Sequence, residues 1–294
     1  MSKFNSEPID IIVPWVNPND PVWQKDFEYW KQKETGNKDA CRYRDWGFIR
    51  YVFRSIEENC SWCRYVFLIL AGPSQIPDWL NINNPKLKII YHKDYIPDEF
   101  LPTFNSNVIE LFYSNIDELS ENFILINDDM FFCQKKGEEF FFKNNLPIYK
   151  EGFKHFSNQM WDKELQNSRN VVNKILNIHT ANMYETFHLP IGYNKSLQNF
   201  MLYKIDISFM KHNKFRKNND LTHFMFYDLA CKTNHCKFEN SYRGQYIGLK
   251  DNVSINFKNP LICVNENEFT KTRDCEKAIK SLSKYFNKKS GFEK

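Results

Sequence analysis

Short apolar segments alternate with helix-like segments through the first half of this chain, and that alternation limits the fold more than any other feature. Apolar or β-branched runs occupy residues 9–15, 65–70, 87–91 and 123–126. Between the first two runs, apolar residues recur at the helical spacing i, i+3, i+4 and i+7, at Ile49, Val52, Phe53 and Ile56. Strands that alternate with helices are typical of βαβ units. The pattern therefore predicts an α/β protein with a mostly parallel central sheet.

The composition fits a large globular domain and excludes several other classes of protein. Apolar residues make up 42% of the 294 residues, which is enough for a sizeable core. The formal net charge of +4 is too small for a dedicated nucleic-acid-binding protein, so we expect no nucleic-acid partner. No apolar run is long enough for a transmembrane helix. The first residues contain no secretory signal, and we expect a cytoplasmic protein.

The eight cysteines do not form the dense framework of a small disulfide-stabilised domain. Two close pairs are present, Cys60/Cys63 and Cys231/Cys236. A zinc site built from these four thiols is an alternative, although the spacing of the second pair is looser than that of a typical zinc finger. We expect reduced, unbridged cysteines.

The last residues, 271–294, are basic and contain an amphipathic helical pattern. Its apolar stripe consists of Ala278, Ile279, Leu282 and Phe286. The favoured interpretation is a terminal helix that packs on the domain and leaves its lysines in solvent. The alternative is a helix that lies on an anionic membrane surface, which would place the protein at the inner face of the plasma membrane.

Two adjacent carboxylates, Asp128 and Asp129, directly follow the predicted strand at 123–126. Ligands of open α/β sheets bind outside the carboxyl ends of the strands, where this pair is expected to lie. Carboxylate oxygens suit Mg²⁺ or Mn²⁺, and these ions bridge the phosphate oxygens of nucleotides. A turn or a helix cap is the simpler alternative for an isolated Asp pair.

A second group is basic and surrounds the predicted helix at 49–56. It consists of Arg42, Arg44, Arg50 and Arg54. Guanidinium groups make bidentate contacts with phosphate, although a solvated helix face paired with nearby carboxylates fits the same spacing. A third group contains His188 before Leu189-Pro190, followed by Arg216 and Asp220. By itself a single histidine is usually structural.

In this order, the segments resemble the signatures of the Stealth family of hexose-1-phosphate transferases, which includes bacterial capsular polysaccharide phosphotransferases. The first signature is similar to IDIIVPWVNPNDPVW. The second is matched most fully, by RYRDWGFIRYVFRSIEENCSWCRYVFLI, PDWL, LPTFNSNVIE and FILINDDMFF. His188-Leu189-Pro190 with the later FRKNNDL resembles the third, and CVNENE at 263–268 resembles the fourth. Two departures are Asn17-Pro18 in place of Asp-Gly, and Glu266 in place of Asp.

The resemblance implies a GT-A-like nucleotide-sugar-binding fold and a single catalytic domain over residues 1–270. Residues 9–135 would bind the nucleoside-diphosphate sugar donor, and residues 136–270 would carry the glycan acceptor and the catalytic groups. Asp128 and Asp129 would hold the divalent metal. The residues implied at the uridine are Trp15, Val16 and Asn17, and those implied at the diphosphate are Arg44 and Arg54.

The resemblance also implies roles on the acceptor side. His188 would be the general base for the acceptor hydroxyl, and Arg216 would stabilise the transferred phosphoryl group. Asp220 and Asn267 would orient these groups, while Asn105 and Ser106 would touch the sugar or the acceptor. The product is then a phosphodiester, and the nucleoside monophosphate leaves.

Two other function classes remain open at this point. A metal-dependent glycosyltransferase of the same fold would transfer only the sugar and release the nucleoside diphosphate. A non-catalytic glycan-binding module is suggested by the 17% of aromatic residues, and it predicts that loss of Asp128 and Asp129 is harmless.

Overall fold

The computed structural model describes residues 7–184, 188–240, 244–250, 254–267 and 269–294. Residues 1–6 of the predicted catalytic domain and Glu268 of the fourth motif lie outside the described residues. The strands are β1 (Ile9–Pro14), β2 (Cys63–Leu70), β3 (Leu87–Tyr91), β4 (Asn122–Leu125), β5 (Met130–Phe132), β6 (Phe142–Lys143), β7 (Leu146–Tyr149), β8 (Ile191–Asn194), β9 (Lys237–Phe238), β10 (Gly244–Gly248) and β11 (Leu261–Asn265). The α-helices are α1 (Pro21–Lys33), α2 (Phe48–Asn59), α3 (Ser106–Leu111), α4 (Met160–Leu176), α5 (Lys195–Lys204), α6 (Phe224–Lys232) and α7 (Thr272–Tyr285).

The central sheet has the strand order β3-β2-β1-β4-β8. Its first four strands are parallel, and β8 runs antiparallel to β4. This arrangement confirms the predicted mixed α/β class with a mostly parallel sheet. The strand order reverses between β1 and β4, and such a reversal opens a crevice at the carboxyl ends of the two strands.

Both faces of the central sheet are buried, which explains why its strands are continuous apolar runs. Ile11 and Val13 of β1 point into one core cluster, which also contains the apolar stripe of α2. Ile12 points into a second cluster, with α3, α5 and α6 packed on that side. The alternation of side chains along a strand therefore places one helical layer on each face.

Helix α1 was not predicted, although its first residues carry a clear start signal. Asp20 caps the helix, because its Oδ1 accepts a hydrogen bond of 3.0 Å from the N–H of Val22, and Pro21 occupies the first helical position. The helix buries Trp23 and Phe27 in a small aromatic cluster with Phe104 and Phe215. This cluster holds the loops before α3 and after α5 against the end of the central sheet.

A second sheet has the order β10-β11-β5 and brings strands from the later half of the chain next to the end of β4. Strand β5 begins directly after Asp129 and pairs antiparallel with β11, where Met130 lies opposite Cys263. Strand β10 is parallel to β11 and forms an edge of this sheet. The loop after β11 is therefore next to the turn that follows β4.

The predicted terminal helix exists as α7, and its apolar stripe faces the protein interior. Ala278, Leu282 and Phe286 are buried in the first core cluster. The Phe286 ring stacks on Phe131 of β5 at 6.0 Å between centroids. The stripe is therefore used in packing, as the favoured interpretation expected. Among the described residues, no helix has the length and apolar character needed to cross a membrane.

All eight cysteines are unbridged. Cys60 and Cys63 pack in the first core cluster, whereas Cys231 and Cys236 pack in the second. One metal ion cannot contact both pairs, so the alternative of a four-cysteine zinc site is wrong.

Candidate active site

The candidate site lies where the strand order reverses, at the carboxyl ends of β1 and β4. The backbone N–H of Ile126 donates to the carbonyl of Ile12 at 3.0 Å, so the two strands stay paired up to this point. Beyond it, the chain enters the loops at 15–20 and 127–129. These loops form the floor of the crevice.

Asp128 and Asp129 occupy a tight turn between β4 and β5, closed by the N–H of Met130 on the carbonyl of Asn127 at 3.1 Å. Oδ2 of Asp129 accepts a hydrogen bond of 3.0 Å from Nδ2 of Asn265. The other oxygen, Oδ1, is buried and has no hydrogen-bond partner among the described residues. Burial and the adjacent charge of Asp129 raise the pKa of Asp128 well above its ordinary value. Both effects fit a pair of carboxylates that binds a cation.

Two more carboxylates, Asp45 and Glu266, lie close enough to raise the pKa of Asp128 further. Asp45 precedes α2, and burial raises its own pKa. Glu266 follows β11, forms an ion pair of 2.7 Å with Arg44, and accepts a hydrogen bond from the indole N–H of Trp46. Arg44 is therefore at the acidic cluster formed by Asp45, Asp128, Asp129 and Glu266, and its predicted contact with the diphosphate stays a prediction. The substitution of Glu for the family's Asp leaves a carboxylate that reaches Arg44.

His188 lies beside the acidic pair. Ligand atoms of His188, Asp129 and Cys263 all fall within 4.8 Å of one another, the one such group of three found among the described residues. Nε2 of His188 is 3.5 Å from Nδ2 of Asn127. The thiol of Cys263 is buried and points at Oδ2 of Asp129, at 3.4 Å. This geometry lets the imidazole accept a proton next to a cation, and also makes it a candidate ligand of that cation.

Arg216 is held by a carboxylate that sequence analysis missed. Its guanidinium donates two hydrogen bonds to Glu164 of α4, whose side chain is fully buried. The Trp161 ring lies 5.2 Å from the same guanidinium. Burial and the positive charge of Arg216 lower the pKa of Arg42. Two guanidinium groups thus lie near one buried carboxylate, which only Arg216 contacts, and the excess positive charge suits an anion.

His223 lies between the acidic and the basic group, near both His188 and Arg216. This histidine is buried at the start of α6, and burial lowers its pKa to about 3. Electrostatic interactions with His188 and Arg216 both lower the pKa of His223 further, so both side chains lie near His223. His188 and Arg216 are therefore on the same side of the molecule as the acidic pair.

Asp220 positions the loop that carries Arg216. Its carboxylate is fully buried and accepts hydrogen bonds from Nδ2 of Asn105 at 2.7 Å and from Nδ2 of Asn213 at 2.6 Å. Asn105 is also fully buried and caps α3 through Oδ1, which accepts from the N–H of Asn107. The predicted contact of Asn105 with a sugar is therefore replaced by a role in holding Asp220. Ser106, the first residue of α3, is partly exposed.

Arg54 was predicted to face the diphosphate, but in the structure its guanidinium is bound near the end of the chain. Its guanidinium donates to both carboxylate oxygens of Glu293, at 2.7 and 2.8 Å, and to the carbonyl of Phe286 at 2.8 Å. The hydrogen bonds of this guanidinium thus go to Phe286 and Glu293, near the end of the chain. Arg54 therefore ties α2 to the segment after α7.

The loop after β1 has a fixed backbone. The N–H of Asn17 donates to Oε1 of Gln75 at 2.6 Å, and the carbonyl of Asn17 accepts from Nε2 of Gln75 at 3.1 Å. Trp15 is buried in the core, and Val16 packs on the α1 aromatic cluster. Beside this loop lies a cavity of about 210 Å³, lined in part by Asp20, Gly72 and Phe104.

Asn267, predicted to orient the catalytic groups, is used in its own turn after β11. Its Oδ1 accepts from the N–H of Phe269 at 2.9 Å, and its N–H donates to Oγ1 of Thr270 at 2.9 Å. The neighbouring Asn265 makes the contact with Asp129 instead. Asn267 therefore shapes the loop that presents Glu266.

Comparisons with known proteins connect this site to polysaccharide synthesis. Residues 42–149 match the family model described as Stealth protein CR2, conserved region 2. The chain is 33% identical to the capsular polysaccharide phosphotransferase WcwK of Streptococcus pneumoniae, over 97% of this chain and 99% of that protein. It is 31% identical to the exopolysaccharide phosphotransferase cps2G of Lactiplantibacillus plantarum, over 99% and 98%. It is also 31% identical to the capsular polysaccharide phosphotransferase fcs1 of Haemophilus influenzae, over 75% and 64%.

Proposed function

The chain belongs to the Stealth family, and on this premise we propose that it transfers a sugar 1-phosphate from a nucleoside-diphosphate sugar to a hydroxyl group of a glycan acceptor. Relatives that are 30–33% identical over nearly the whole chain are named polysaccharide phosphotransferases, so the chain is a phosphotransferase of capsule or related polysaccharide synthesis. The proposed transfer forms a phosphodiester and releases the nucleoside monophosphate.

The observation that best supports this proposal is the position of His188 beside the partly buried acidic pair, with both His188 and Arg216 near His223. Phosphoryl transfer requires neutralisation of phosphate charge and correct positioning of the nucleophile more than covalent help from the protein. A base, a guanidinium group and carboxylates that suit a metal are the three parts that this chemistry uses.

In the proposed reaction, His188 accepts the proton of the acceptor hydroxyl as its oxygen attacks the phosphorus next to the sugar. Arg216 binds the oxygens of the phosphoryl group, and Glu164 fixes the direction of its guanidinium. Arg42 and Arg44 add positive charge along the diphosphate. Because the anomeric bond is never broken, the sugar keeps its anomeric configuration.

The acidic cluster fits a hard divalent cation, and we propose that Asp128 and Asp129 hold Mg²⁺ or Mn²⁺. Two observations support this proposal. Oδ1 of Asp129 is buried without a hydrogen-bond partner among the described residues, and a cation would give it one. The pKa of Asp128 is raised, and a bound cation would lower it. When bound, the ion neutralises charge on the diphosphate and on the leaving nucleotide.

We also propose that the fold is GT-A-like. Support comes from the order β3-β2-β1-β4 with an antiparallel strand beside β4, and from a candidate donor site at the reversal of strand order. The eight unbridged cysteines support a reducing compartment, in which the donor and the acceptor meet on the cytoplasmic side.

The decisive experiment identifies the released nucleotide. The purified protein is incubated with Mn²⁺, a glycan acceptor and a panel of nucleoside-diphosphate sugars, and the products are analysed by chromatography and ³¹P NMR. We expect the nucleoside monophosphate and a phosphodiester of unchanged anomeric configuration. Release of the nucleoside diphosphate with a phosphorus-free product would instead establish the glycosyltransferase alternative.

The role of His188 is tested in the same assay with His188→Gln. We expect kcat to fall by about 10²–10⁴, because the acceptor loses its general base, while donor binding changes little. Metal affinity, measured by Mn²⁺ titration, is the second readout. A large loss of Mn²⁺ affinity would make His188 a ligand and contradict its role as the base.

A further inference from the structure

A half-exposed aromatic ring stands next to the proposed general base. Tyr246 lies in the middle of the edge strand β10, and 52% of its surface is exposed. Its ring centroid is 6.1 Å from that of His188, with the two planes at 70°. No step described above uses this ring.

The ring of Tyr246 is exposed but held in one orientation. Its hydroxyl donates to Oδ1 of Asn265 at 3.0 Å, and Nδ2 of Asn265 donates to Asp129 at 3.0 Å. The ring is therefore tied to the acidic pair through a single amide. An exposed aromatic side chain usually samples several rotamers and loses conformational entropy when a ligand fixes it. The hydrogen bond to Asn265 already fixes this ring, so ligand binding costs less entropy.

One side of the ring is kept open by a glycine. Gly248 lies two residues after Tyr246, on the same face of the strand, and a Cβ atom placed there would be 3.9 Å from Cε1 of Tyr246. Any larger side chain at 248 would cover part of the ring.

We infer that Tyr246 is the platform on which a sugar ring of the acceptor stacks, and that it thereby selects a glycan as the acceptor. This inference rests on the proposed function. The C–H groups of a pyranose face carry partial positive charge and fit the negative face of an aromatic ring. A sugar in contact with Tyr246 has its hydroxyl groups at the imidazole of His188. The site thus takes a neutral pyranose ring next to the proposed base.

The test separates the ring from the hydroxyl of Tyr246. Tyr246→Ala removes both, Tyr246→Phe removes only the hydroxyl, and Gly248→Val covers the ring without changing it. Valine is favoured in strands, so the last variant is expected to fold. Tyr203→Ala is the matched control, because Tyr203 is an aromatic residue of α5 with 85% of its surface exposed.

Steady-state kinetics are measured with methyl glycosides of glucose, galactose and N-acetylglucosamine as acceptors. We expect the acceptor KM to rise roughly tenfold or more in Tyr246→Ala and Gly248→Val, with the donor KM changed by less than about twofold. Tyr246→Phe should restore most of the acceptor KM, and Tyr203→Ala should match the wild type. Equal losses in the Phe and Ala variants would overturn the inference, because the hydroxyl would then act through Asn265. An unchanged acceptor KM in the Ala and Val variants would also overturn it.

Binding without turnover keeps this test independent of the proposed function. Saturation-transfer NMR with the same methyl glycosides should show transfer to the wild type and to Tyr246→Phe, and a much weaker signal with Tyr246→Ala. If the wild type releases no nucleotide from any donor, the proposed function fails, while this comparison still decides whether Tyr246 binds sugars.

Discussion

At the scale of single residues, the acidic cluster combines carboxylates that repel one another in the absence of a cation. Asp128 and Asp129 are adjacent, and Asp45 and Glu266 add to the raised pKa of Asp128. Like charges at close range favour the protonated form and cost stability when both groups ionise. The cluster therefore links metal binding to the stability of the fold.

The proposed metal site at Asp128 and Asp129 is tested with the variant Asp129→Asn. The wild-type Tm should rise with Mn²⁺, since a ligand at about 100 times its Kd stabilises a protein by about 2.7 kcal/mol. Asp129→Asn should melt at or above the wild-type Tm in EDTA, because it removes one of the repelling charges, and should not respond to Mn²⁺. Activity should be absent in EDTA and in the variant. Full activity in EDTA would refute the metal assignment.

A second residue-scale prediction concerns the buried pair of Glu110 and His223. Nε2 of His223 is 3.4 Å from Oε2 of Glu110, and Nδ1 is 2.7 Å from the hydroxyl of Tyr193. Burial raises the pKa of Glu110 from 4.5 to about 8 and lowers that of His223 from 6.5 to about 3. The other charged groups near the pair are Arg216, Glu164 and His188. Together the two side chains hold one proton between pH 4.5 and 6.5, as they do in the unfolded chain.

Above pH 6.5 the unfolded chain has released this proton, whereas the folded pair keeps it up to about pH 8. The folded state then binds more protons, so its stability falls as the pH rises, by about 2 kcal/mol over this interval. Glu110→Gln should remove this loss. Urea unfolding at pH 6.5 and pH 8 measures it, with the exposed Glu118→Gln as the control. An unchanged pH dependence in Glu110→Gln would show that Glu110 does not hold the proton.

The sequence predicted the charged residues of the site better than the buried groups that hold them. Asp128 and Asp129 follow a recognisable strand, and their place at the end of β4 was predicted from that strand alone. Glu164 was missed because a carboxylate on the buried face of α4 breaks the apolar pattern of that helix. That interruption was itself the signal, since a charge on a buried helix face needs a partner such as Arg216.

At the scale of secondary-structure elements, α2 has two different functional ends. Its first residues follow Arg44 and Asp45 at the acidic cluster, while Arg54 near its other end binds the chain's last residues. Glu293 has its side chain 4% exposed, so the pair with Arg54 is a buried salt bridge. The second half of α2 therefore contributes to the stability of the fold, whereas its first turn lies next to the candidate site.

Arg54→Gln should therefore cost about 2–3 kcal/mol of unfolding free energy, because it leaves the buried Glu293 without its partner. Arg50→Gln is the matched control, since Arg50 is more exposed and lies 3.7 Å from Glu293, and it should cost less than about 1 kcal/mol. Urea unfolding provides both values. If Arg54→Gln instead raised the donor KM without loss of stability, the predicted contact of Arg54 with the diphosphate would be supported.

Elements with local signals were predicted, and elements defined by distant pairing were not. Strand β3 has the predicted bounds, and α2 contains the whole predicted stripe. The second sheet was missed because β5 has three residues and pairs with β11, which lies more than a hundred positions later. No local pattern specifies such a pairing.

At the scale of the whole molecule, α7 completes the first core cluster and is not a peripheral attachment. Leu282 is fully buried, and exposed lysines lie on the opposite side of the helix. Leu282→Ala should cost about 2–5 kcal/mol, as expected for a cavity in a well-packed core. Replacement of Lys277, Lys280 and Lys284 by Gln is the control and should leave the stability nearly unchanged. If Leu282→Ala left the stability intact and weakened sedimentation with anionic vesicles, the stripe would be a membrane contact after all.

The distances along the chain between partners in the acidic cluster have a consequence for folding kinetics. Asn265 meets Asp129 across 136 positions, and Glu266 meets Trp46 across 220. Such long loops must close before these contacts form, and non-local contacts slow folding. The central sheet needs only shorter connections between neighbouring strands, so it can assemble first. In a refolding chain, activity is then the last property to return, well after the secondary structure that surrounds the site.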